Sequence, residues 1–74
     1  MNLPSKEVVE ERRRKWRPGM KIRLLHMDDP QAPTYGTCGT VVGVDDGGQI
    51  MVNWDNGSHL SVIPEVGDQI AEVK

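Results

Sequence analysis

The sequence predicts a mainly β protein, a small five-stranded barrel preceded by an N-terminal α-helix. Three observations predict this class. Residues 5–16 carry the charge order of a helix, apolar residues alternate with a period of two from Met20 onward, and glycine-rich turns separate the alternating runs. A chain of 74 residues holds a single small core. We therefore expect a helical arm at residues 1–17 and a barrel at residues 18–74.

The helix prediction rests on its two ends. Ser5 is a suitable N-cap directly after Pro4. Glutamates occupy the first turns and basic residues the last ones, which complements the helix dipole. The helix has to end before Pro18, because proline disfavours helical geometry in the residue that precedes it.

Five runs read as strands, and turn-forming residues separate them. The predicted strands are residues 20–25, 38–44, 49–54, 58–62 and 69–73, with a helical turn beginning at residues 63–65. Closing these strands into a barrel would remove exposed sheet edges. The predicted core consists of Ile22, Leu24, Val42, Val44, Ile50, Val52, Leu60, Val62 and Ile70.

Composition excludes several classes of protein. No apolar stretch approaches the roughly 20 residues of a membrane span, so we expect a cytoplasmic protein without a membrane partner. The single cysteine, Cys38, cannot form an internal disulfide. The two histidines and this cysteine do not follow a zinc-ligand spacing, and no nucleophile–base arrangement stands out. The sequence therefore predicts a protein that is not an enzyme and has no cofactor.

Charge is divided unevenly along the chain. Residues 1–25 hold eight Lys and Arg against three Glu, and residues 26–74 hold one Lys against eight Asp and Glu. The net charges of the two parts are +5 and −7. Such asymmetry is typical of a nucleic-acid-binding arm, or of a helix and a barrel that attract each other.

The barrel segment resembles a known family. Pro18–Leu24 and Gly36–Val41 resemble the first two strands of SH3-like barrels of the KOW kind. Met27–Pro33, Gly43–Gly47 and Val52–Ser58, in that order, resemble the domain-of-unknown-function 4314 family. The resemblance covers about residues 18–65 and leaves the helix outside as this chain's own feature. It implies an SH3-like fold and a small cytoplasmic protein of bacteria, phages or mobile elements, with no assigned catalytic residues.

Five residues are the candidates for a binding surface. Asp28 and Asp29 begin the long loop and could bind a basic peptide, although aspartate before proline also initiates turns. Tyr35 lies on the same loop, where SH3-like barrels often bind ligands through aromatic residues. Trp54 either lines this groove or fills the core, and His59 follows it on the next strand.

The basic helix offers two other kinds of site. Nucleic acid could contact the arginines, with Trp16 stacking on a base. Alternatively, a small ligand such as a signalling nucleotide could be held at an oligomer interface, because one small barrel has little room for a pocket. The candidate contacts for either ligand are Arg12, Arg13, Arg14, Trp16, Arg17 and Arg23.

The function that we expect from these observations is binding without catalysis. The acidic barrel suggests a basic surface on a host protein or peptide. The resemblance to phage proteins implies inhibition of a host defence system as one such role. A narrow apolar stripe of Val9 and Trp16 on the helix also suggests a homo-oligomer.

Overall fold

The computed structural model describes residues 3–74, and residues 1 and 2 of the predicted arm lie outside the described residues. Helix α1 covers Lys6–Lys15. Ser5 caps it as predicted, since its side chain accepts a hydrogen bond of 3.2 Å from the backbone N–H of Val8. Trp16 closes the helix with a backbone bond to Arg12.

One antiparallel sheet forms the body of the protein. Its strands are β1 (Lys21–His26), β2 (Cys38–Val44), β3 (Ile50–Trp54) and β4 (Gln69–Glu72), in the spatial order β3-β2-β1-β4. A 3₁₀ turn at Pro64–Val66 precedes β4, where the sequence predicted a helical turn. The prediction of a mainly β fold with an N-terminal helix is therefore confirmed.

The prediction of five strands is wrong, because residues 58–62 form only a single bridge between Val62 and Ile50. Side chains occupy the backbone groups that a strand at Leu60 would use. The indole N–H of Trp54 donates to the Leu60 carbonyl at 2.9 Å, and Ser58 Oγ accepts from the Leu60 N–H at 3.2 Å. The sheet is consequently open and four-stranded, not a barrel closed by five strands.

The core joins the sheet to the helix. Its buried members are Val9, Ile22, Leu24, Val41, Val44, Ile50, Val52, Trp54 and Val62. Val9 belongs to this cluster with only 5% of its surface exposed, so the helix contributes directly to the core. Leu60 and Ile70, both predicted core residues, are half-buried, and Ile70 packs against the cluster.

The predicted core position of Val42 is wrong, since this side chain is 47% exposed while Val41 is buried. The cause is a bulge. Val41 lies opposite Val52 but Gly43 lies opposite Met51, so the ladder skips Val42. An extra residue in one strand reverses which face the following side chains occupy.

Two arginines and a glycine fix the helix on the sheet. Arg12 donates to the carbonyl of Gly48 at 2.9 Å and forms two hydrogen bonds with the carboxylate of Glu65. Arg13 donates to the carbonyl of Val44 at 3.1 Å and to Asp46 at 2.7 Å. A Cβ on Gly48 would lie only 2.9 Å from the Arg12 guanidinium, so the absence of a side chain there permits the contact.

Candidate functional site

A groove of about 490 Å³ runs between the loop after β1 and the segment that replaces the fifth strand. We call it the acidic groove. Its lining residues are Met27, Asp28, Asp29, Gln31, Gln49, Ser58, His59, Leu60, Ser61, Ile63, Val66 and Asp68. The apolar members give it a mixed surface, and Val66 is 50% exposed.

Local hydrogen bonds hold the acidic residues in place. Asp29 Oδ1 accepts from the N–H of Gln31 at 2.7 Å, which is the turn chemistry expected of aspartate before proline. Asp68 Oδ2 accepts from the N–H of Ile63 at 2.9 Å. Gly67 ends the 3₁₀ turn with a φ of 94°, a left-handed conformation that directs the chain back toward β4. Both carboxylates retain an oxygen that is not used in these bonds.

His59 lies on the opposite side of the groove from the loop. Its Nδ1 is 2.8 Å from Asn53 Oδ1. Because an amide oxygen can only accept, Nδ1 donates in this hydrogen bond. The imidazole therefore adds a further polar group to the groove beside the carboxylates.

The charge of the groove is of one sign. Three carboxylates line it, and none of its described lining residues is Lys or Arg. Across residues 3–74, no group of three or more His, Cys, Asp and Glu side chains is arranged to hold a metal ion. The arrangement suits hydrogen-bond donors that carry positive charge on a flexible chain, and the apolar lining residues suit their aliphatic stems.

The structure brings together three of the five predicted binding residues. Asp28, Asp29 and His59 share the acidic groove. Tyr35 is 76% exposed and borders a separate depression beside Pro33. Trp54 is 3% exposed and bonds to Leu60, so it belongs to the core and lines no groove.

The basic residues of the helix divide into two groups. Arg12 and Arg13 bond to backbone carbonyls and carboxylates of the sheet and its turns. Arg14, Arg17 and Arg23 are exposed. Two of the five predicted arginine contacts are thus engaged within the fold, and three are exposed.

Trp16 lines a second groove, also of about 490 Å³, which lies between α1 and β4. The Lys15 ammonium lies 5.1 Å from the centre of its ring, within cation–π range. Val8 and Ile70 contribute apolar surface to the same groove. We call it the helix groove.

Asp68 is the one carboxylate among the lining residues of the acidic groove that the sequence pattern did not predict. It is distant from Asp28 in the chain and carries no motif of its own. The useful signal was its position directly after Gly67, because a glycine that ends a predicted helical turn directs the next residue back toward the sheet.

The fold and the groove define a small β-rich domain with a helix packed on its sheet. The chain belongs to the DUF4314 family, a domain of unknown function whose family model matches residues 5–73. The match includes helix α1, so the expectation that the helix lies outside the family is wrong. No curated protein and no solved structure matches the chain. Within residues 3–74, no helix has the length and apolar character needed to traverse a bilayer.

Proposed function

We propose that this protein is a cytoplasmic, non-enzymatic binding module that recognises a basic segment of another protein through the acidic groove. The observation that carries the proposal is the single sign of charge in a groove that also has apolar lining residues. The order of elements supports an SH3-like architecture, with a long loop after β1 and a 3₁₀ turn before the last strand. Folds of this kind host many functions, so the proposed function rests on the groove and not on the fold.

The occupant is an extended peptide with Lys or Arg beside apolar residues. Its cations pair with Asp28, Asp29 and Asp68, and its apolar side chains contact Val66 and the other apolar lining residues. Partly exposed ion pairs contribute little stability individually, but they restrict the choice of partner and speed association. The proposed partner is a host protein, and the proposed setting is a phage or mobile element that blocks a host defence system.

A peptide library displayed on phage particles tests the proposal. Selection on the whole chain is expected to enrich Lys and Arg at two or more positions, interspersed with apolar residues. Asp28→Asn together with Asp29→Asn keeps the size and turn-forming capacity of both side chains, and it should weaken binding of the selected peptides about tenfold or more. Asp55→Asn is the matched control, because Asp55 is exposed in a turn outside the groove. Selection of acidic peptides, or equal losses in both variants, contradicts the proposal.

The two other functions have weaker support from the geometry. Nucleic acid and nucleotide binding both require arginines that are available to phosphates. Arg12 and Arg13 are instead engaged with Glu65, Asp46 and two carbonyls, and a phosphate would have to displace these bonds. The remaining predicted arginines, Arg14, Arg17 and Arg23, are exposed, but a phosphate at any of them would approach a chain whose residues 26–74 carry a net charge of −7.

A further inference from the structure

Strand β4 is an edge of the sheet, and no strand of residues 3–74 pairs with its outer side. On the inner side, the N–H of Val73 donates to the carbonyl of Lys21 at 2.9 Å, and Ala71 lies opposite Arg23. Backbone groups alternate in direction along a strand. Ile70 and Glu72 therefore direct their N–H and C=O groups outward, away from β1.

Two observations show that this edge is accessible. Gln69 and Glu72 are exposed, and the helix groove lies between α1 and β4. Gln69–Glu72 contains no proline, so every residue of the edge keeps its backbone N–H. An edge with unpaired backbone groups is a template for a further strand.

We propose that β4 pairs antiparallel with β4 of a second copy of this chain, around a two-fold axis at Ala71. In that register Ile70 lies opposite the partner's Glu72, and both direct their backbone groups across the interface. Asp68 lies opposite the partner's Lys74, which gives two symmetric ion pairs. The two four-stranded sheets join into one sheet of eight strands. The interface is isologous, so each contact across it occurs twice, related by the two-fold axis.

Charge favours this register over the two registers whose two-fold axis lies one residue earlier or later. A two-fold axis at Ile70 would place Asp68 opposite the partner's Glu72, and an axis at Glu72 would place the two Glu72 side chains opposite each other. Like charges directly opposite on paired strands are destabilising. Of these three registers, only the one centred on Ala71 joins opposite charges. An axis at Val73 would also do so, through Glu72 and the partner's Lys74, but it would pair only Glu72 of the four residues of β4. The contact is short, so the dimer is weak and sensitive to salt.

Disulfide trapping tests the register directly. Ala71 turns its backbone toward β1, so the two Ala71 residues form a non-hydrogen-bonded pair, in which Cα atoms are about 4.5 Å apart and a disulfide can close. With Cys38→Ser to remove the native thiol, Ala71→Cys is expected to form a covalent dimer in oxidised glutathione. Val73→Cys in the same background is the control, because Val73 is 38% exposed but lies opposite the partner's Gln69. No dimer, or equal dimer from both variants, overturns the proposal.

Sedimentation equilibrium of the unmodified chain provides a second measurement that does not depend on a cysteine variant. A monomer–dimer equilibrium is expected, and Lys74→Glu should weaken it about threefold to tenfold at low salt. Lys6→Glu, at an exposed lysine of the helix, should leave it unchanged. A chain that stays monomeric up to about 1 mM contradicts the dimer. The variants of Asp28 and Asp29 test peptide binding without altering β4, so the two proposals can fail separately even though both assign an ion pair to Asp68.

Discussion

At Gly39 the sheet comes so close to its neighbours that no side chain fits. A Cβ at this position would lie 2.8 Å from Val52 Cγ1 and 2.9 Å from the ring of Trp54. Gly39 is buried in β2, and Trp54 occupies the space beside it on β3. The glycine therefore leaves room for the largest core side chain on the neighbouring strand.

Gly39→Ala should lower the free energy of unfolding by about 1–3 kcal/mol, because the new methyl group forces the tryptophan or the strand to shift. Gly43→Ala is the matched control in the same strand. Its Cβ would meet only Met51 Cε at 3.7 Å, an ordinary contact. Urea unfolding of the two variants measures the difference, and an equal effect of both substitutions would refute the packing role of Gly39.

The ion pair of Glu65 makes stability depend on pH. The hydrogen bond from the Arg12 guanidinium holds the pKa of Glu65 below its ordinary value of 4.5. A carboxyl whose pKa is lower in the folded state stabilises that state above the unfolded pKa, and the contribution is lost as pH falls through the folded pKa. We therefore expect a loss of stability below about pH 4.5.

Glu65→Gln removes this titration while keeping the shape of the side chain. The variant should be less stable than the wild type near neutral pH and should lose less stability on acidification below about pH 4.5. Urea unfolding across this range measures both slopes. Glu7→Gln, at an exposed helix residue, is the control. If the free energy of unfolding of Glu65→Gln falls as steeply with decreasing pH as that of the wild type, the ion pair with Arg12 does not contribute to stability.

At the scale of elements, helix α1 is part of the folded unit and not a detached arm. Val9 enters the core, and the basic residues that suggested a nucleic-acid contact instead include the two that dock the helix. The positive charge of the helical part and the negative charge of the rest of the chain were visible in the sequence. Local pattern predicted the turn at residues 45–48 and the turn that became the 3₁₀ turn, but which arginine meets which carboxylate depends on how these turns lie against the helix in three dimensions.

Arg12→Ala should lower the free energy of unfolding by about 1–3 kcal/mol, because it leaves the Gly48 carbonyl without its donor and Glu65 without its partner. The Arg12 side chain is only 16% exposed. Arg14→Ala, at an exposed position two residues later, should stay within about 0.5 kcal/mol of the wild type. Thermal and urea unfolding compare them, and equal stabilities would mean that the docking contacts of Arg12 are dispensable.

The local sequence pattern predicted most of the secondary-structure elements, and it was wrong where a tertiary contact determined the structure. The alternation of apolar residues identified Ile22, Leu24 and Val52 as core. At the bulge in β2 it predicted the wrong face of the sheet for Val42. The strand at residues 58–62 had a suitable pattern, yet the indole of Trp54 takes the carbonyl of Leu60. That bond joins a strand to a later segment through a side chain, so no periodicity in the sequence reports it.

At the scale of the whole molecule, the candidate site follows from how three distant segments meet. Asp28, Asp29 and His59 were candidates from the sequence, and the fold brings them together and adds Asp68. Tyr35 shares the loop but borders a different depression, because the loop turns between Asp29 and Tyr35. That these residues line one groove, together with Asp68, required the three-dimensional path of the chain.

Binding of a basic peptide in the acidic groove is the central claim, and an NMR titration tests it most directly. The peptide would have about eight residues of alternating arginine and leucine, with a glutamate-for-arginine version as its control. Amide shifts are expected at residues 27–31, 58–61 and 66–68, and they should be lost in the Asp28→Asn, Asp29→Asn variant. Shifts spread equally over the turns at residues 45–48 and 55–57, or an equal response to the acidic peptide, would contradict the claim.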